Sequence, residues 1–258
     1  MKYKLLLLDV DGTLVESRQG AMPTEQVRLA VRSAQDKGVH VALVTGRAIY
    51  YAKDVILALG LQGPSVFNGG PDVMDVSTGA ILHRRTISVE ALRELVSLSV
   101  PFGYPIFTDA DEYSTRILEQ GDIMQEAEQF FVEAVQTKDA GRMVDALQSV
   151  KGVSALLASS WHVGDVVDIH VTHEHGTKRY GVEKLMRILG VRKEQVMGIG
   201  DGHNDLPMLE AAGFRVVMGQ APREVQAAAD YVTGTLAQDG VAQAIEKFIL
   251  TPNSDPRP

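Results

Sequence analysis

The sequence predicts an α/β fold: a parallel-sheet core built from the two ends of the chain, with an α+β cap domain inserted between them. Three observations predict it. Short apolar runs alternate with stretches of helical spacing over residues 5–67 and again beyond 178, the rhythm of βαβ units. Polar residues recur where those runs end, at Asp9, Thr45, Asn68 and Asp201. Between the two stretches, apolar runs come in pairs separated by turn residues, as antiparallel hairpins do. The expected division is a core of residues 1–83 and 176–258 and an insertion of residues 84–175.

Composition bounds the function. At 258 residues and 45% apolar, the chain can build one large domain or two modest ones with real cores. A net charge of −8 disfavours nucleic acid and anionic membranes as partners, because both need basic patches. The lack of cysteine excludes disulfides, thiolate catalysis and Cys-ligated metals. The apolar run at 5–8 passes straight into Asp9, unlike a secretory signal, and no apolar run reaches membrane-spanning length. A cytoplasmic enzyme or binding protein is expected.

Residues 5–8, four leucines, suit a strand buried on both faces. Helical spacing over 24–37 puts Val27, Ala30, Val31 and Ala34 on one face, with Thr24 placed to cap and Gly38 to stop the helix. Residues 39–44 read as a second strand, 49–60 as a helix closed by glycine, and 65–67 as a short third parallel strand. Residues 73–75 and 81–83 flank Ser77-Thr78-Gly79 as a hairpin, and 88–98 reads as a helix. Residues 104–108 and 112–115 form a second hairpin, 117–134 and 140–150 read as helices, and 153–159 with 166–171 form a third hairpin. The core then resumes with a helix at 179–189, strands at 195–199, 214–218 and 231–232, and helices at 206–212, 223–228 and 241–250. The proline-bearing tail, 251–258, is expected to fray.

The first strand ends in Asp9-Val10-Asp11-Gly12-Thr13. Residues two apart on a strand share a face, so Asp9 and Asp11 point together, and like charges there call for a cation. Taken alone, Asp11-Gly12 also reads as a simple turn. Three further clusters join it: Thr45-Gly46-Arg47, Lys178, and Gly200-Asp201-Gly202-His203-Asn204-Asp205. In order and type the four resemble the motifs of the haloacid dehalogenase (HAD) superfamily of phosphohydrolases. Asn68-Gly69, Met218-Gly219-Gln220-Ala221-Pro222 and Asp239-Gly240-Val241-Ala242 resemble its Cof-type branch, whose cap follows the third core strand of a Rossmann-like sheet.

The resemblance implies a Mg2+-dependent phosphatase acting through an aspartyl-phosphate on a small phosphorylated metabolite, sugar-like or carboxylated. Asp9 matches the nucleophile and Asp11 the general acid/base. Implied metal ligands are the carboxylates of Asp9 and Asp201 and the backbone carbonyl of Asp11. Thr45 would hydrogen-bond the phosphoryl group, Lys178 would counter its charge, and Asp205 would position Lys178 or a metal-bound water. Gly46, Arg47, Asn68 and Asn204 are candidate substrate-binding residues. Two rival readings stay open: a phosphotransferase or phosphomutase on the same scaffold, and a non-catalytic phosphosugar-binding regulator. Arg179-Tyr180 follow the motif lysine where the family often has glycine, and Gly70 stands where alanine is common. His170, His173 and His175 fit no zinc template, and Trp161, in a cap loop, suits either substrate contact or packing.

Overall fold

The computed structural model describes residues 2–18, 20–110, 113–117 and 119–251. Strand β1, Leu5–Leu8, lies at the centre of the core sheet with all four leucines buried. Leu6 and Leu8 pack into one apolar cluster, Leu5 and Leu7 into another, so the strand is covered on both faces. Helix α1, Glu25–Asp36, starts where the Thr24 hydroxyl accepts the Val27 N–H at 3.2 Å. Strand β2, His40–Leu43, follows, and helix α2, Ile49–Leu59, ends on left-handed Gly60.

Strand β3, Pro64–Phe67, departs from the expected third parallel strand. It meets the core sheet through one parallel bridge, Val44 to Val66, and otherwise pairs antiparallel with β4, Asp72–Asp75, which pairs with β5, Ile81–His83. Pro64 has no N–H to give a ladder, and the Ser65 hydroxyl takes the Leu43 N–H at 3.1 Å in place of a backbone carbonyl.

The insertion contains α3, Val89–Ser99, β6, Ile106–Ala110, β7, Tyr113–Ile117, β8, Gln129–Gln136, α4, Thr137–Gln148, β9, Val153–Ser159, and β10, Val166–His173. Its antiparallel sheet runs β7-β6-β8-β10-β9. Phe130, Val132, Ile169 and Val171 share a buried cluster with Leu92, Leu95 and Met143 of the two helices. The second and third hairpins form as expected, although Asp111 and Glu112 of the second lie outside the described residues. The helix expected over 117–134 does not form: β7 runs to Ile117, a single 3-10 turn spans Gln120–Asp122, and β8 begins at Gln129. The alternation of two along β8 is masked because both its faces are covered. Phe130 and Val132 face the cap helices, while Gln129, Phe131 and Glu133 line a cavity on the other side.

The chain returns to the core through α5, Lys178–Leu189, closed by left-handed Gly190. Strand β11, Val196–Gly200, α6, Leu206–Ala211, β12, Phe214–Val217, α7, Arg223–Gln226, β13, Tyr231–Val232, and α8, Gly240–Ile245, complete it. The last helix is shorter than expected, passing into a π-helical turn over Glu246–Leu250; the tail beyond Thr251 lies outside the described residues. The core sheet runs β13-β12-β11-β1-β2, all parallel. The chain order reverses at β1, which puts the ligand crevice of such a sheet at the carboxyl ends of β1, β2 and β11. Among the described residues, no helix is long and apolar enough to cross a membrane.

The β8 register has a measurable consequence. Phe130 is fully buried and Phe131 only partly, so Phe130→Ala is expected to cost about 3–5 kcal/mol and Phe131→Ala clearly less. Denaturant unfolding of the two variants checks this; equal losses would contradict the alternation.

Candidate active site

Asp9 follows β1 directly, its N–H donating to the Ile199 carbonyl of β11 at 3.0 Å. The loop after it turns tightly: the Val10 carbonyl accepts from the N–H groups of Leu14 and Val15 at 2.9 and 3.1 Å. Gly12 holds this turn with φ +81°, and a Cβ there would collide with Asp201 Oδ2. The close approach lets the Thr13 hydroxyl donate to Asp201 Oδ1 at 3.1 Å. Gln220, from the Gly219-Gln220-Ala221 loop, donates to the Gly12 carbonyl at 2.6 Å and accepts from the Leu236 N–H at 3.0 Å. The Cof-type loop thus braces the turn from behind.

Lys178, at the start of α5, is buried and donates to Asp9 Oδ1 and Asp205 Oδ1, both at 2.6 Å. Asp205 Oδ2 accepts from the backbone N–H groups of Asp201 and Gly202 at 2.9 and 3.0 Å. Burial pulls the Lys178 pKa down, but Asp205 and Asp9 outweigh it and hold the ammonium above its ordinary value. Burial, then the charge of Asp205, pushes Asp9 well above the usual carboxylate range. The same two causes push Asp201 up to about 7.

Oxygens of Asp9, Asp201 and Asp205 lie within 4.8 Å of one another. Three carboxylates share one ammonium, and their hard oxygens suit a hard dication. The convergence of three carboxylates, with Gly12 letting Asp201 come close to the turn after β1, fits a metal site. The sequence points to Asp9, Asp11 and Asp201 as ligands, Asp11 through its backbone. The third carboxylate of the cluster is Asp205; the Asp11 side chain turns elsewhere.

Asp11 accepts a two-pronged contact from Arg47, Nε to Oδ2 at 2.8 Å and Nη2 to Oδ1 at 2.7 Å. Arg47 Nη1 donates to the Tyr51 carbonyl at 3.2 Å. From the cap, Trp161 Nε1 donates to Asp11 Oδ1 at 3.2 Å, and the Arg47 guanidinium lies 5.1 Å from the indole ring centroid. Gly46 and Asn204 line the same cavity as Asp9 and Asp11. Thr45 is fully buried behind them, its hydroxyl accepting the Arg47 N–H at 3.1 Å, and it does not line the cavity. Nor does Asn68, which is buried and donates to Asp72 Oδ2 at 3.1 Å.

The cavity, about 260 Å3, lies between these core residues and the cap sheet. Its cap wall includes Phe107, Asp109, Phe131, Glu133, Asp168 and His170, of which the sequence singled out only His170. The signal was there: residues 129, 131 and 133 alternate on one strand and 168 and 170 on another, but β8 reads as a helix. Among the described residues, no cluster of metal-ligating groups includes His170. Gln129 Nε2 donates to its Nδ1 at 2.9 Å, and burial lowers its pKa. His173 and His175 lie apart, packed on each other and on Tyr180.

Comparisons with known proteins agree with this arrangement. A phosphoglycolate phosphatase from Saccharolobus solfataricus is 28% identical over 247 residues, covering 95% of this chain and 96% of its own. A 5-amino-6-(5-phospho-D-ribitylamino)uracil phosphatase from Bacillus subtilis is 27% identical, covering 96% of each. Among solved structures, a HAD-superfamily phosphatase from Bacteroides thetaiotaomicron superimposes with a TM-score of 0.79 at 25% identity, over 95% of this chain and 94% of its own. A B. subtilis haloacid dehalogenase-like hydrolase reaches 0.84 at 20% identity, over 95% of this chain and 99% of its own. The family model of the haloacid dehalogenase-like hydrolases matches residues 6–145 and 148–245. The chain belongs to that family, in its Cof-type branch of phosphatases with the cap inserted after β3.

Proposed function

We propose that this chain is a Mg2+-dependent phosphatase that hydrolyses a small phosphate monoester through an aspartyl-phosphate on Asp9. Residues 1–83 and 176–258 supply the chemistry, and residues 84–175 close over it as a cap. The observation that carries this reading is the buried Lys178 bridge between Asp9 and Asp205, with Asp201 beside it, at the floor of a cavity that Asp11 and Asn204 also line. The relatives are named for esters with dissimilar leaving groups, so the shared phosphoryl end is what carries over.

Asp9, Asp201 and Asp205 offer carboxylate oxygens to a Mg2+ ion, which supplies charge neutralisation for an anion attacking a dianion. Lys178 fixes the orientation of the Asp9 carboxylate. The Asp9 oxygen bonds to phosphorus as the ester P–O bond breaks, and the departing oxygen takes a proton from the Asp11 carboxyl. In the second step the oxygen of a water bonds to phosphorus as the P–O bond to Asp9 breaks, Asp11 takes the water's proton, and inorganic phosphate and the Asp9 carboxylate are released. Arg47 and Trp161 aim the Asp11 side chain and must loosen their hold for it to donate. The closed cap keeps bulk water out meanwhile.

The two aspartates are separable. Asp9→Asn is expected to abolish turnover and phosphoprotein formation. Asp11→Asn is expected to slow an alkyl phosphate about 10²–10⁴-fold but an aryl phosphate, whose oxygen leaves unaided, much less. Steady-state release of inorganic phosphate into water, with phosphoprotein trapping, is the measurement; a phosphoprotein on Asp9→Asn or equal slowing of both esters would refute the assignment.

Metal binding is linked to pH through Asp201. Its folded pKa of about 7 exceeds the unfolded value of about 4, so the folded state holds the proton more tightly. Stability from this group is present below pH ~4 and is lost, without metal, as pH rises through about 7. Mg2+ needs the ionised form, so its binding displaces that proton. The gain in Tm on adding Mg2+ is therefore expected to be larger at pH 8 than at pH 6, and turnover to cease in excess chelator. A Tm gain independent of pH would separate Asp201 from the metal.

A further inference from the structure

The cap wall of the cavity has a charge pattern of its own. Across the sheet, Phe107 pairs with Phe131 and Phe131 with His170. The two phenyl rings stack at 5.3 Å and 14°. Asp109 flanks this apolar row on one side, paired with Gln129; Glu133 and Asp168 flank it on the other. Asp168 sits where the pairing of β10 with β8 shifts, between Val167 and Ile169. Opposite it Ala134 takes φ 53° and donates its N–H to Asp168 Oδ1 at 2.9 Å. A left-handed alanine is a strained device, and such devices persist where they place a functional group.

None of the described cap residues lining the cavity is Lys or Arg. His170 Nδ1 takes the Gln129 amide, and His162, 3.5 Å from Glu133, is more than half exposed. On the core side, the cations pair with core carboxylates, Arg47 with Asp11 and Lys178 with Asp9 and Asp205. The phosphoryl end lies against Asp9 on the core side, so the leaving-group end faces Glu133 and Asp168 around aromatic faces. A carboxylate there meets like charge in a desolvated space. An ammonium gains both the carboxylates and the ring faces.

Resting on the phosphatase reading above, we propose that the substrate is a phosphorylated amino alcohol of about sugar size. Its protonated amine lies against the Phe131 wall, and Glu133 and Asp168 select it over carboxylated phosphate esters. This deepens the assignment of the site by fixing the chemistry of the leaving group, and the cavity between cap and core, which Asp9 and Asp11 also line, supplies the place for it.

The test is kcat/KM with Mg2+ for glucosamine 1- and 6-phosphate, the corresponding glucose phosphates, and glucuronic acid 1-phosphate. A hydrogen bond to a charged group is worth roughly 10–100-fold. An amine preference of that size is expected in at least one positional series, with the carboxylated ester the poorest. Glu133→Gln and Asp168→Asn should bring the amine-to-hydroxyl ratio toward one and improve the carboxylated ester relative to the glucose phosphates, the ratios within each variant being the readout. Asparagine at 168 keeps an oxygen for the Ala134 N–H, so the strand is preserved. Equal kcat/KM across amine, hydroxyl and carboxylate esters, or ratios unmoved in both variants, would overturn the proposal while leaving the phosphatase reading intact. No turnover of any ester, p-nitrophenyl phosphate included, would overturn the phosphatase reading itself.

Discussion

The structure depends on one buried ion triad. Lys178 lies between Asp9 and Asp205, which are 169 and 27 positions away in sequence. A buried ammonium is stable only when its partners are in place, and removing one partner of such a group typically costs about 3–5 kcal/mol. The triad therefore ties the end of β1, the start of α5 and the loop after β11 into one unit. It closes only after the chain has left the core, built the cap and come back. With Asp201 alongside, three carboxylates face one ammonium, so the site needs further positive charge. The chemistry of the centre follows from that imbalance.

Much of this was legible in the sequence because it is local. Four leucines running into Asp9 describe a buried strand and its exit without reference to anything distant. Thr24, Gly60 and Gly190 punctuate helices by their own conformational preferences. The clusters of the candidate site were legible because each sits at a strand end or helix start, where topology alone brings them together. What escaped depended on partners. The spacing of Phe130, Phe131, Val132 and Val135 suits a helix until the second covered face of β8 is known, and the misread strand concealed Glu133 and its neighbours. Asn68 and Thr45 end strands as expected, yet the Asn68 amide nitrogen goes to Asp72 of β4 and the Thr45 hydroxyl to the Arg47 N–H, and neither lines the cavity.

The fate of Asn68 shows how the cap is seated. Its amide donates to Asp72, and Asp72 pairs with Arg84, which also reaches Glu128 at 2.8 Å. Asp72 and Glu128 are both buried. Arg84 thus joins the β4 hairpin to the lead-in of β8 at the point where the chain enters the insertion. A residue at the end of β3 is thereby linked through Asp72 and Arg84 to the entry of the insertion.

Trp161 is the chain's single tryptophan. Its indole sits at the seam between the two parts, bonded to Asp11, near the Arg47 guanidinium and edge-on to Tyr51. Every photon of indole emission from this protein therefore originates at the cap–core seam. When the cap lifts, the ring trades a carboxylate and a guanidinium for water, and its emission moves to the red. The molecule carries its own optical gauge of opening, with no label to attach and no second indole to subtract.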